Sequence, residues 1–414
     1  MTADPRVLVI VLAGGKGNRL LPLTNDRAKP AVPFGGSYRV IDFALSNFAN
    51  ARYLKIVVLT QYKSHSLDRH ISQTWSFSTM LGNYVAPVPA QMRRGPHWFS
   101  GSADAIYQNL NLIADERPDV VCVFGADHIY RMDPRQMVAH HVEHGAGVTV
   151  AAIPVPKAEA TEFGVIEANE HGRIVAFHEK VADPPEMLDR PGHCLASMGN
   201  YIFDTRTLID VVTPNNDTND LIDIGGDVIP ALTNAGVAHA YDFSTNTVPG
   251  DHDHNRGYWR DVGSIDSYYA ANMDLISPVP QFNLYNPEWP VYSHHPPLPP
   301  AKVSRGAAGE PSWVHESLLC QGSIVSGGHV EQSILGTETF VDVDAHVTES
   351  LLFPGVHVSA GAHLRRCIVD KNVVVPAGMR IGFDSERDRE RFSVSDQGVI
   401  VIEKDCNLSA IALQ

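Results

Sequence analysis

Val7-Leu8-Val9-Ile10-Val11-Leu12-Ala13-Gly14-Gly15-Lys16-Gly17-Asn18-Arg19 decides how this chain is read. The unbroken apolar run Val7–Leu12 predicts a buried strand, and the glycines that follow end it abruptly. Glycine admits positive φ and lets a ligand approach bare N–H groups, which together form an anion-binding concavity. Lys16, Arg19 and, farther on, Lys29-Pro30 add positive charge beside it. The stretch therefore predicts a cradle for a polyphosphate; the alternative is an ordinary glycine turn. It matches neither G-x-x-x-x-G-K-[ST] nor G-x-G-x-x-G, so a P-loop and a redox-dinucleotide fingerprint are both disfavoured.

Outward from this strand, further apolar runs (Ile56–Leu59, Val120–Phe124, Val148–Ile153, Ile174–Phe177, Tyr201–Phe203) alternate with helical spacing. Ile41, Ala44, Leu45 and Phe48 share one helical face, as do Ile106, Leu110 and Ile113, the latter helix with Ser102 and Asp104 at its expected cap. Alternation of this kind predicts an α/β fold with a mostly parallel sheet over residues 1–276. Ligands bind such sheets beyond the strands' carboxyl ends. Both the opening glycine loop and Gly125-Ala126-Asp127-His128 would lie there.

Residues 277–315 are proline-rich, with Pro296-Pro297 and Pro299-Pro300, and predict an extended, partly stiff linker. From 316 to 414 a repeat takes over. Ile324, Val330, Leu335, Val341, Val347, Leu352, Val358, Leu364, Val369, Val375 and Ile381 recur at steps of five or six, and three steps sum to 17. Apolar residues at that spacing are the mark of a left-handed parallel β-helix, with one residue per face pointing inward. An irregular β-sandwich would not keep the rule over eleven positions.

Composition narrows the function. The net charge of −15 leaves no basic surplus for a nucleic acid or an anionic membrane, so any phosphate ligand must meet a local cluster of cations or a metal. Five scattered cysteines without C-x-x-C spacing fit a reduced, cytoplasmic setting. The seven or so apolar residues near the N-terminus are too few to span a membrane.

Chemistry is expected from a few carboxylates and cations. Asp127 follows a buried strand, and Asp261 lies in Trp259-Arg260-Asp261-Val262-Gly263; two aspartates sharing substrate phosphates suit Mg²⁺, provided the fold brings them together. Glu179-Lys180 offers a hydroxyl acceptor beside a point charge for phosphate. Gln91–Phe99, with Arg93, Arg94 and Trp98, mixes basic and aromatic residues as a loop over a base would. Asp251-His252-Asp253-His254 and the trio His140, His141 and His144 have metal-like spacing, but transition-metal sites need convergent geometry that spacing alone does not supply.

Taken in order, Leu12-Ala13-Gly14-Gly15-x-Gly17-x-Arg19-Leu20, Arg27-Ala28-Lys29-Pro30, Phe34-Gly35-Gly36, Arg39-Val40-Ile41-Asp42-Phe43, Thr60-Gln61-Tyr62, Ser102-Ala103-Asp104-Ala105, Asp127-His128-Ile129-Tyr130, Glu162-Phe163-Gly164-Val165, Ser197-Met198-Gly199 and Trp259–Gly263 resemble the bacterial glucose-1-phosphate adenylyltransferases. The resemblance runs over nearly the whole chain. It implies a Rossmann-like nucleotidyltransferase domain before the β-helix and transfer of the adenylyl group of ATP to glucose 1-phosphate, releasing pyrophosphate, with Mg²⁺ as cofactor. It also implies a cytoplasmic homotetramer that serves glycogen or another α-glucan under control by phosphorylated metabolites.

Residue by residue, the resemblance implies that Gly14, Gly15, Gly17, Arg19 and Lys29 hold the triphosphate and that Asp127 and Asp261 bind the metal. Arg19, Lys29 and Asp127 form the catalytic set. Lys180 would meet the sugar phosphate, Glu179 and Ser197 the glucose hydroxyls, and Gln61 and Trp98 the base and ribose, with Phe99 and Gly164 among the substrate-binding residues. Arg27, Arg39, Arg365 and Arg366 match positions linked with allosteric anions. Two positions depart from the pattern. Asn18 replaces the usual Thr, and Asp26 stands where enteric relatives carry a Lys associated with fructose 1,6-bisphosphate, which puts that activator in doubt. The rival readings are a uridylyl or thymidylyl transferase and a non-catalytic regulatory subunit. Retention of Lys29, Asp127, Lys180 and Asp261 together argues against the second. An acyltransferase is disfavoured by a short β-helix with no evident basic pocket for coenzyme A.

Overall fold

The computed structural model describes residues 4–91, 98–213 and 222–412. Strands β1 (Val7–Ala13), β2 (Lys55–Thr60), β3 (Tyr84–Pro89) and β4 (Val120–Gly125) run parallel in the order β3-β2-β1-β4. Leu8 to Val11 are almost wholly inaccessible, as a strand covered on both faces must be. Helix α1 (Val40–Asn50) covers one face, its Ile41, Leu45 and Phe48 packing with Val9, Val11 and Ile56. Ile106, Leu208 and Val228 cover the other with Leu8, Ile10 and Val57. The strand order reverses between β1 and β4, where the crevice of a doubly wound sheet opens.

Past β4 the sheet becomes mixed. β5 (His128–Tyr130) leaves it, and β6 (Val148–Pro156), β7 (Gly164–Ala168), β8 (Ile174–Glu179), β9 (His193–Asp204) and β10 (Ala238–Asp242) extend it. β9 runs antiparallel to β4, β6 and β7, while β10 is parallel to β6. β11 (Trp259–Asp261) pairs antiparallel with β5, outside the main sheet. All six apolar runs lie in strands. β3, β7 and β10 hold too many proline or polar residues to stand out as such runs.

The helix expected through Ile106, Leu110 and Ile113 is instead two short helices, Ser102–Tyr107 and Leu110–Glu116. Ser102 is no cap. Its hydroxyl donates to Asp223 at 2.9 Å and accepts from the Ile224 N–H at 2.7 Å, while Asp104 accepts from the Ser100 N–H and from Gln108.

The C-terminal domain is a three-faced stack of parallel strands, the architecture of the left-handed hexapeptide β-helix. The repeat positions from Val330 to Ile381 are all buried in one core. At its start the inward residue is Val325 rather than Ile324, because Val325 pairs with Val341 on the next coil. Ser333 and Ser350 occupy one buried corner, where Ser333 Oγ accepts from Ser350 N at 3.0 Å and Ser350 Oγ from Cys367 N at 3.2 Å.

Coiling starts inside the segment expected to be linker. Lys302–Ser304 and Trp313–His315 already pair with Ile324–Ser326 and His329–Glu331. The residues before them are packed too. Trp289 is buried, and α1 holds this segment through Asn50 to the Pro290 carbonyl (2.9 Å) and Asp42, which accepts from Ser293 Oγ (2.7 Å). Helix α2 (Ile265–Asp274) joins the two domains: Ile265, Tyr268 and Tyr269 share a core with Ile334, Leu351 and Ile368 of one β-helix face.

Candidate active site

The β5–β11 ribbon decides what the crevice contains. β5 begins right after the turn that ends β4, and its His128 lies opposite Asp261 in the pairing. Two carboxylates far apart in sequence are thereby set side by side at the carboxyl end of β4. Lys29 joins them from the short turn Lys29–Ala31, its Nζ 3.0 Å from Asp127 Oδ2 and 3.0 Å from Asp261 Oδ1. Its side chain is only 8% exposed. Burial works against the ammonium, yet the two carboxylates outweigh it and raise the Lys29 pKa. The same balance acts on Asp127: surrounding protein opposes ionisation, but Lys29 and then His128 hold its carboxyl well below the ordinary range.

Asp127, His128 and Asp261 each bring a ligand atom within 4.8 Å of the others, the only such group of three among the described residues. Two carboxylates on this spacing fit a hard divalent cation. Arg19 closes the cluster, 2.5 Å from Glu162 and 3.6 Å from Asp261. Gly17 holds the loop against them. At φ 65° it is left-handed, and a Cβ there would sit 3.1 Å from Lys29 Cβ and 3.0 Å from Thr24 Cγ2.

On one side of this charged centre lies a pocket of about 250 Å³, whose wall includes Arg19, Asp127, Gly164, Glu179, Lys180 and Ser197. Lys180 follows β8 at φ 50°, uncommon for an L residue, and its N–H donates to the Phe163 carbonyl at 3.1 Å. Its ammonium lies 3.3 Å from Glu179. A Cβ on Gly164 would collide with Phe177 and with Glu179 Oε2, at 2.4 and 2.8 Å, so glycine keeps that wall open. On the other side, Gln61 at the end of β2 lies against Gly14 and donates to the Phe99 carbonyl at 3.1 Å. Gly15 has open space around it. Trp98, 47% exposed, meets the Tyr62 ring edge-on, and Lys16 lies 5.2 Å from the centre of that ring. Arg93 and Arg94 lie outside the described residues.

Two family patterns cover this architecture. The nucleotidyl transferase family matches residues 8–277, and the GlmU-like C-terminal hexapeptide family matches residues 299–402. Glucose-1-phosphate adenylyltransferases of Nocardia farcinica and Rhodococcus erythropolis are each 58% identical over 405 residues, which is 98% of this chain and 99% of theirs. That of a Parafrankia strain is 53% identical over 410 residues, with the same coverage. The chain belongs to the glucose-1-phosphate adenylyltransferase family.

Glu162 and His128 are the family-motif residues whose part in this centre the sequence reading did not assign. Glu162 pairs with Arg19, and the His128 ring lies 5.0 Å from that of Trp259. The charged residue opposite His128 depends on strand pairing, which no local pattern displays. The other metal-like clusters do not assemble. Asp251 is taken up by Arg131 at 3.3 Å, and His141 is buried against Thr149 at 2.9 Å.

The four arginines matched to allosteric positions fall in two places. Arg27 is buried between the domains, 2.9 Å from Asp370 of the β-helix. Arg39 leads into α1 and donates to the Ser66 carbonyl at 2.9 Å; burial pulls its pKa down to about 10. Lys371 shares this seam, its pKa lowered to about 7 by burial and then by Arg39 and Arg27. Arg365 and Arg366 sit at a β-helix corner instead, 3.9 and 3.7 Å from Glu349, with Arg366 over the Tyr269 ring. Asp26 lies 3.8 Å from Lys404.

Proposed function

We propose that this chain transfers the adenylyl group of ATP to glucose 1-phosphate, forming ADP-glucose and pyrophosphate. The observation that carries the reading is the convergence of Asp127, Asp261 and Lys29 beside the Glu179–Lys180 pocket, at the carboxyl ends of β1 and β4. A phosphate oxygen of the sugar attacks the α-phosphorus, the α–β bridging bond breaks, and its electron pair leaves with pyrophosphate. No proton has to be removed from a phosphate dianion, so the work is alignment and charge neutralisation.

Lys180 holds the phosphate of glucose 1-phosphate, while Glu179 and Ser197 accept from and orient its hydroxyls. Gly14, Gly15 and Gly17 offer backbone donors to the triphosphate, with Arg19 and Lys29 meeting the charge that builds on the departing pyrophosphate. Gln61, Phe99 and Trp98 lie along the base and ribose. Asp127 and Asp261 would hold Mg²⁺, which would supply positive charge to offset that developing on the reacting phosphates. The product feeds glycogen or another α-glucan, and the five free cysteines fit action in the cytoplasm.

The seam around Arg27, Arg39 and Lys371 is the place for a phosphorylated effector, since three basic side chains lie close enough there to disfavour one another's charge, with Asp370 on Arg27 and Asp42 beside Arg39. The chain assembles as a homotetramer, which light scattering would report as a particle of four times 45.2 kDa. The activity is tested by pyrophosphate release from ATP, UTP, dTTP and GTP paired with several sugar 1-phosphates. Strong preference for ATP with glucose 1-phosphate is expected; a preference for UTP or dTTP, or no release at all, would overturn the reading.

A further inference from the structure

Every cation assigned to phosphate in this site rests on a carboxylate. Lys29 bridges Asp127 and Asp261 at 3.0 Å each, Arg19 lies on Glu162 and Asp261 at 2.5 and 3.6 Å, and Lys180 lies 3.3 Å from Glu179. The most buried of these cations, Lys29, rests on the two carboxylates assigned to the metal. A divalent cation held by them would face the buried Lys29 ammonium across a few ångströms, where like charges repel. At 8% exposure, the Lys29 side chain is almost wholly buried. Its stem packs against Gly17 of the phosphate loop, where a Cβ would lie 3.1 Å from Lys29 Cβ.

We propose that Lys29 is an internal counter-ion that closes the metal site to a free divalent cation until a polyphosphate draws the ammonium away, so that metal and nucleotide enter as one unit. The inference rests on the assignment of Asp127 and Asp261 as metal-binding residues. The exchange conserves charge: the polyphosphate takes the cations and the divalent metal takes the carboxylates they release. Each ligand clears the partner that the other needs, so their affinities are coupled, and by linkage the coupling is reciprocal. Arg19 strengthens the effect by vacating Asp261 when it swings to phosphate. Lys29 thus has a positioning role in addition to its contact with substrate.

The test is binding of MnCl₂ alone, without nucleotide, followed by the loss of the free Mn²⁺ EPR signal and by calorimetry. Lys29→Met, which keeps the bulk of the stem and removes the charge, should bind Mn²⁺ at least about tenfold more tightly than the unmodified protein. Its melting temperature should rise on adding Mn²⁺ far more than that of the unmodified protein, because the cation replaces the charge that two neighbouring aspartates have lost. Structural damage would not produce a gain in affinity. Adding Asp127→Asn to Lys29→Met should remove the gain. If Mn²⁺ binds the Lys29 variant no more tightly than the unmodified chain, yet Asp127→Asn weakens binding, the counter-ion role is refuted and the metal assignment stands. If Mn²⁺ binding ignores Asp127→Asn altogether, both are overturned. Should Lys29→Met fail to accumulate, Lys29→Gln carries the same outcomes.

Discussion

Asp127→Asn is the perturbation that most directly challenges the proposed chemistry. The Asp127 carboxyl is held well below its ordinary range, so the substitution removes a full negative charge at any working pH. It removes little else. Asn has the same shape, and its carbonyl oxygen can still accept from Lys29 where Oδ2 now does at 3.0 Å. Asp261 still pairs with Lys29, so the buried ammonium is not orphaned. What disappears is one of the two carboxylates assigned to hold the cation that offsets the developing charge of an in-line displacement. Deleting one preorganised electrostatic group of this kind costs about 10²–10³ in rate, or roughly 3–4 kcal/mol. We expect kcat for pyrophosphate release to fall at least about a hundredfold, equal to about 2.7 kcal/mol, with the melting temperature within a few degrees of the parent. A variant that melts normally and turns over within about tenfold of the parent would refute the placement of Asp127 at the reacting phosphates.

Two predictions concern the seam between the domains. The Arg27–Asp370 pair is 5% and 2% exposed, and Asp370→Ala leaves Arg27 beside Arg39 and Lys371 without its counter-charge, which should cost about 3–5 kcal/mol of unfolding free energy. The double variant Arg27→Met with Asp370→Ala should recover much of that loss in denaturant titrations, and strictly additive single effects would contradict the pairing. Lys371 gives a pH signature. Its pKa lies near 7 in the folded chain, below its ordinary 10.5, because burial and the neighbouring arginines disfavour its charge. Above about pH 7 the unfolded chain therefore binds the extra proton, and this group makes the protein more stable as pH rises. Below that, both states are charged and the full penalty remains. Lys371→Met should raise the urea midpoint at pH 7 and flatten its rise between pH 7 and 9; an unchanged slope would count against the buried, cation-flanked placement.

What the sequence displays depends on whether a feature is local. The first strand and its glycine loop are legible because burial on both faces demands an unbroken apolar run. The β-helix is legible because each coil repeats the same inward demand. Even there, Ile324 and Val325 are equally apolar neighbours, and only pairing with Val341 decides that Val325 points inward. The linker misleads for a related reason: prolines announce an extended chain, not whether that chain finds a groove for Trp289. Lys302–Ser304 and Trp313–His315 hide the first coil because they carry polar and aromatic residues outward. At the site, the acidic and basic members each stand out beside a strand end. Their convergence does not, since it is created by the pairing of His128 with Asp261 across more than a hundred residues. Glu162, the partner of Arg19, has no local signature for the same reason.

The seam and the site are joined by short pieces of rigid structure, which bears on why a β-helix accompanies this catalytic domain. Arg27 and Lys29 are separated by Ala28 alone, and the two cations serve different domains: Arg27 bonds Asp370 in the β-helix, Lys29 bonds the two aspartates of the site. Ala28 is extended and Lys29 opens the short turn, so with one residue between them a segment held at Arg27 also limits where Lys29 can reach. The second connection runs through α2. It starts at Ile265, just after Asp261, with Ser264 accepting from the Ser267 N–H as its cap, and its Tyr269 hydroxyl donates to the Glu349 carbonyl of the β-helix at 2.7 Å. Asp261 and Lys29 are thus referenced to the β-helix from two sides. An anion drawn to Arg27, Arg39 and Lys371 would compete with Asp370 for Arg27, and the first residue to feel a shift of that segment is Lys29. The counter-ion that gates the metal site is therefore also the group best placed to report what binds at the seam, and substitutions at Asp370 should change Mn²⁺ affinity as well as stability.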